Sequence, residues 1–226
     1  MPSKKQIVLY TALSGLLSFL IIGIGAVLTA YYYSGRTQEH YSFFNHFISE
    51  LGNMNYSSHG YYFNDSMMLA GVTLAFYMSG ITRLLQHKLK SLLLLCGMLT
   101  GLSCSLLGYY SSDQFNIHYP LAVCLFNFAL ISAIIFSTIV LLEKDESFFP
   151  KWLVYAAAFP ILTLITFIIV QFNHMTDFKN GHIHHLMYSR PAFWNLPFME
   201  WMVFFSLGSW IVAISLHLYF RHSRLS

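Results

Sequence analysis

Long apolar runs alternate with short polar gaps along this chain, and the runs fill most of its length. A helix advances about 1.5 Å per residue, so about 20 mostly apolar residues are needed to cross a hydrocarbon core where no water satisfies the backbone. Six stretches pass that test: residues 6–33, 62–84, 89–110, 117–142, 151–172 and 196–220. They predict an all-α polytopic membrane protein, a six-transmembrane-helix bundle forming a single domain, with no gap long enough to hold a separate soluble one. The first run follows Lys4 and Lys5 as a signal peptide would, but it is too long, and Leu28 spoils the small-residue cleavage pattern near Ala30. In the second and third spans, Gly71, Ala75 and Ser79, then Gly97, Gly101 and Ser105, recur every four residues. Such stripes let helices approach closely, so they are expected to be packing seams and also to offer a homo-oligomer face. Pro160 is expected to bend the fifth span and Pro120 to sit in the first turn of the fourth.

Composition agrees, with 9% charged and 56% hydrophobic residues. Orientation follows from Lys and Arg, which are retained on the cytoplasmic side. With the N-terminus inside, the inner set is Lys4, Lys5, Arg83, Lys88, Lys90, Lys144, Lys151, Arg221 and Arg224, against Arg36, Lys179 and Arg190 outside. Both termini are therefore expected in the cytoplasm. The net charge of +3 reflects topology and contact with anionic lipid, not nucleic-acid binding. Cys96, Cys104 and Cys124 all fall within spans, as small buried apolar groups do, and suggest no disulfide framework.

Placed on this topology, most histidines (His40, His46, His59, His118, His174, His182, His184 and His185) and most carboxylates gather on the outer side. The first outer connection carries Phe43 to Gly52, which as one short helix would set Asn45 over Ser49 and His46 over Glu50, with Gly52 as C-cap. A local His46–Glu50 pair is the simpler reading of that loop. Asp65 opens the second span and reads first as a helix cap; Asp113 and His118 flank the start of the fourth. Glu200 lies about one turn into the sixth span, where an ionised side chain needs a partner or a watery cavity. His182, His184 and His185 form a tract of the kind that binds zinc or copper, although a closed site needs further ligands. Metalloprotease, serine-elbow, phosphate-loop and dinucleotide motifs are absent from the sequence.

Ile48-Ser49-Glu50-Leu51-Gly52 after the first span, His118 at the start of the fourth and Glu200-Trp201 at the start of the sixth resemble the six-span Frag/DRAM/Sfk group. That group includes damage-regulated autophagy modulators and related bacterial membrane proteins. Its first outer loop typically carries an Ile-Ser-Asp/Glu-like motif, its fourth span a histidine and its last span a Glu-Trp pair. The resemblance implies a site at Ser49, Glu50, His118, Glu200 and Asp113, and a role centred on membrane lipids. Leu51, where the autophagy modulators often have Thr, and no evident long tail favour the bacterial branch. The expected location is thus a bacterial cytoplasmic membrane rather than an endolysosomal or Golgi membrane.

Three functions fit these residues. The first is lipid binding or organisation through an outer-leaflet pocket of Ser49, Glu50, His118 and Glu200, the carboxylates accepting from a head group and His118 donating. The second is an intramembrane lipid hydrolase or acyl transferase, with Ser49 or a metal-bound water attacking and His118 or His46 as base. The third is a proton or metal transporter, disfavoured by the scarcity of ionisable groups in the cytoplasmic halves of the spans.

Overall fold

A computed structural model describes residues 2–143, 148–174, 180 and 182–224, the side chains of His182 and His184 excepted. Six helices are long and apolar enough to cross a membrane: α1 (Lys4–Tyr31), α2 (Gly60–Leu84), α3 (Lys90–Tyr109), α4 (Phe115–Leu142), α5 (Trp152–Asn173) and α7 (Asn195–His222). Between them lie a 3₁₀ helix (Ile48–Gly52) and a short helix α6 (His182–Leu186). No strand occurs among the described residues. The predicted spans differ from these helices by at most two residues at either end. A reciprocal cap closes the start of α1: Ser3 Oγ accepts from the Gln6 amide at 3.2 Å while Gln6 Oε1 accepts from the Ser3 amide at 2.8 Å. Because α4 starts at Phe115, Pro120 falls in its second turn and not its first.

The helices close into a ring in chain order. Each packs on its neighbours, α1 on α2, α2 on α3, α3 on α4, α4 on α5, α5 on α7 and α7 back on α1. Among the described residues no helix runs down the axis, which side chains and cavities occupy instead. The predicted small-residue stripes face each other between α2 and α3 within one chain. At Gly71 and Gly101 the backbones are so close that a Cβ on either would meet the carbonyl oxygen of the other, and the Ser105 hydroxyl donates to the Met68 carbonyl at 2.9 Å. Between α5 and α7, Thr163 and Ser206 exchange a hydroxyl hydrogen bond of 2.6 Å inside the apolar contact.

The two ends of the ring differ. At one, Lys4 sits 4.4 Å over the Phe148 ring, Arg221 donates to the Phe148 carbonyl at 2.8 Å, and Glu143 accepts from the Gln86 and His87 amides at 2.7 and 3.0 Å. Both termini and the α2–α3 and α4–α5 connections therefore share this end. The axis there is plugged by Ile81, Phe136, Ile139, Ile214 and Leu218, all buried. The opposite end carries the connections α1–α2, α3–α4 and α5–α7, and with them the polar chemistry. Among the described residues the buried carboxylates and histidines are His46, Glu50 and Glu200, all at this end.

Candidate functional site

The single helix predicted over residues 43–52 is replaced by two pieces. A turn closes where the His46 amide donates to the Ser42 carbonyl at 2.9 Å, and the 3₁₀ helix starts at Ile48, with Phe47 extended between them (φ −64°, ψ 142°). Burial of Phe47 causes the break, because its amide, turned inward, donates to Glu50 Oε1 at 2.9 Å, one half of a capping box. His46 consequently does not pair with Glu50. Its Nε2 lies 3.5 Å from Glu39 Oε1 and its Nδ1 2.8 Å from Asn45 Oδ1. Gly52 is the last residue of the 3₁₀ helix and not its C-cap, which is Asn53; a Cβ at Gly52 would collide with Asn64 Oδ1, and the Asn64 side-chain amide donates to the Gly52 carbonyl at 2.9 Å.

Arg190, from the connection before α7, locks this loop. Its Nη1 donates to Glu50 Oε1 at 3.1 Å and to the Asn45 carbonyl at 2.9 Å, and its Nη2 to Glu50 Oε2 at 2.5 Å. The forked geometry is the one guanidinium and carboxylate make best. The Tyr33 hydroxyl adds a longer contact to Glu50 Oε2 at 3.4 Å. Trp201 Nε1 donates to the Tyr41 hydroxyl at 3.0 Å, which donates to the Phe47 carbonyl at 2.9 Å. Burial, then the Glu50 carboxylate, pushes the Tyr33 and Tyr41 phenols up. Burial, then Arg190, lowers His46 and keeps it neutral at pH 7. Glu39 is pushed up by burial, but hydrogen bonds from the Thr37 hydroxyl and amide and the Arg36 amide outweigh that and hold it at about 2. Glu50, expected as a head-group acceptor, thus has both oxygens engaged.

Below this clamp lie two cavities with a common border. A vestibule of about 340 Å³ is lined by Arg36, Asn53, Tyr56, Asp113 and Gln171 among others. A cavity of about 180 Å³ continues along the ring axis past Phe63, Met67, Cys104, Leu125 and Leu207 to Trp210. Ser49, His118, Ala122, Phe126 and Glu200 line both. All four predicted pocket residues, Ser49, Glu50, His118 and Glu200, line the vestibule, and three of them, Ser49, His118 and Glu200, from three separate elements, stand at its junction with the axial cavity. Glu200 is 8% exposed. Its carboxyl faces the Ile48 and Ser49 amides and the Ser49 hydroxyl, while Oε2 is buried with no hydrogen-bond partner. His118 Nδ1 lies 2.8 Å from the Tyr110 carbonyl. A carbonyl only accepts, so Nδ1 carries the proton.

The secondary residues fall differently. Asp113 lines the vestibule and accepts from the Ser111 hydroxyl. Asp65 is exposed on α2, outside both cavities, and caps nothing, since the helix begins at Gly60 after His59. Of the histidine tract, His185 is exposed on α6, and the side chains of His182 and His184 lie outside the described residues. Among the described residues no group of three His, Cys, Asp or Glu is placed to hold a metal. Sequence reasoning missed Arg36 and Arg190. Their signal was position: two of very few cations at an end poor in them need a local reason to be there.

Comparison with known proteins corrects the family expectation. No curated protein and no solved structure matches the chain. A family model described as "Protein of unknown function (DUF998)" matches residues 21–217, and nothing supports the Frag/DRAM/Sfk group. The motifs behind that resemblance are a few residues each, and local packing explains them: Glu50 caps the 3₁₀ helix and pairs with Arg190, and Trp201 anchors Tyr41. With five of its six membrane-spanning helices wholly or mostly inside the matched region, this chain belongs to the DUF998 family of multi-pass membrane proteins.

Proposed function

We propose that this protein binds a membrane amphiphile, with the polar part in the vestibule and an apolar chain in the axial cavity. The observation that carries this reading is the shared border: a polar chamber opens onto an apolar one, with Ser49, His118 and Glu200 at the step. Polar groups at that depth are costly unless a partner meets them, and the ester or hydroxyl region of a lipid supplies one. With the termini cytoplasmic, as the Lys and Arg distribution predicts, the vestibule faces the outer leaflet, in a bacterial cytoplasmic membrane.

Hydrolysis is less well supported. Ser49 faces a carboxyl and not an imidazole, and His118 is oriented by a backbone carbonyl. Ion or proton relay is disfavoured by the apolar plug of Ile81, Phe136 and Ile139 on the axis beyond Trp210. Native mass spectrometry of the detergent-purified protein tests binding. Ala129→Trp and Leu207→Trp, each filling the axial cavity, are expected to remove most of the co-purifying lipid. Folded variants of both that retain lipid at wild-type stoichiometry would refute the reading.

A further inference from the structure

The vestibule contains a cation that is held in place with no carboxylate paired to it among the described residues. The Arg36 guanidinium carbon sits 3.9 Å from the Tyr56 ring centroid and 5.4 Å from that of Tyr188. The Tyr56 ring carries the planar cation on its face, and the Tyr188 side chain hydrogen-bonds the guanidinium, which fixes it while leaving part of its N–H edge open. Among the described residues Nε and Nη1 are buried with no hydrogen-bond partner, an arrangement that costs free energy until an acceptor arrives. Among the described residues no carboxylate forms an ion pair with Arg36. The carboxylates nearby are engaged elsewhere: Glu50 by Arg190, Glu39 by Thr37, Asp113 by Ser111. A second lining residue, Ser112, also has a buried hydroxyl without a partner.

Resting on the amphiphile reading above, we infer that the bound head group carries phosphate, and that Arg36 is the residue that reads it. Unpaired donors on two different residues suit a tetrahedral group with several acceptor oxygens better than a planar carboxylate, which the fork alone would saturate. The size of the vestibule agrees. At about 340 Å³ against about 180 Å³ for the axial cavity, it is built for a head group larger than a bare carboxylate. The head group then lies over Arg36, the linkage passes Ser49, His118 and Glu200, and the chain follows the ring axis.

Calorimetric titration of the full chain in a neutral detergent tests this, with a lysophosphatidic acid, the monoacylglycerol and the fatty acid of the same chain, and inorganic phosphate as probes. The lysophosphatidic acid is expected to bind about ten- to a hundredfold tighter than the monoacylglycerol, the range for charge-assisted hydrogen bonds. Arg36→Gln should erase that difference, lowering lysophosphatidic acid affinity about ten- to a hundredfold and monoacylglycerol affinity far less, and Arg36→Lys should restore part of it; thermal unfolding verifies that each variant folds. Equal affinity for both lipids, equal affinity for the fatty acid, or an unaffected Arg36→Gln would overturn the head-group assignment while leaving amphiphile binding intact. Inorganic phosphate competing as well as the lysolipid would instead assign the vestibule to a free anion. Failure of every lipid to bind the wild type would remove the amphiphile reading and this inference with it.

Discussion

Arg190→Ala is expected to destabilise the protein by about 3–5 kcal/mol, the range for removing one partner of a buried ion pair. Glu50 is 5% exposed, so its charge would be left largely desolvated without the guanidinium. The loss would spread, because Arg190 also holds the Asn45 carbonyl, and Asn45 in turn donates to the Pro191 carbonyl at 2.8 Å. The two connections that form the clamp would come apart together. Glu50→Gln added to Arg190→Met should recover most of the loss, since a neutral amide can still accept from Phe47 and leaves no unpaired charge. Thermal unfolding in detergent measures both. A loss of under about 1 kcal/mol for Arg190→Ala would mean that the pair is solvated and the clamp is not a structural element.

Gly71→Leu is the second large effect, at about 2–4 kcal/mol. Its side chain would have to displace the Gly101 carbonyl and Ser105 on α3, and the Ser105–Met68 hydrogen bond would go with them. Because α2 and α3 are adjacent members of a closed ring, forcing them apart also widens the axial cavity, so lipid retention should fall along with stability. Gly23→Leu is the control: a Cβ there meets nothing within 4 Å, and the change should be close to neutral. Equal losses at the two positions would show that the cost does not come from the α2–α3 contact, since helix propensity alone favours Leu over Gly at both.

The spans were legible because a membrane imposes one simple requirement on sequence, a long apolar run, and nothing in the tertiary structure overrides it. Ser49, His118 and Glu200 were legible for a related reason: polar side chains at similar depth in lipid must find each other or a guest. The Glu50–Arg190 pair was not legible because the two residues are 140 apart, and no spacing rule reaches that far. The same pair explains the false helix over residues 43–52. Local periodicity placed His46 above Glu50, but burying Phe47 and capping with Glu50 won over an intrahelical His–Glu contact. The family resemblance failed through the same cause, since motifs of a few residues recur wherever a loop helix needs a cap and a span needs an interfacial aromatic.

Amphiphile binding requires that the vestibule, the step at Ser49, His118 and Glu200, and the axial cavity as far as Trp210 form a single binding site. An experimental density map of the protein purified from its own membrane in mild detergent tests this most directly. The account predicts continuous elongated density from beside Arg36, past the unpartnered Glu200 Oε2, to the Trp210 ring. An empty or water-filled axis, with ordered lipid only on the outer surface of the helical ring, would contradict it.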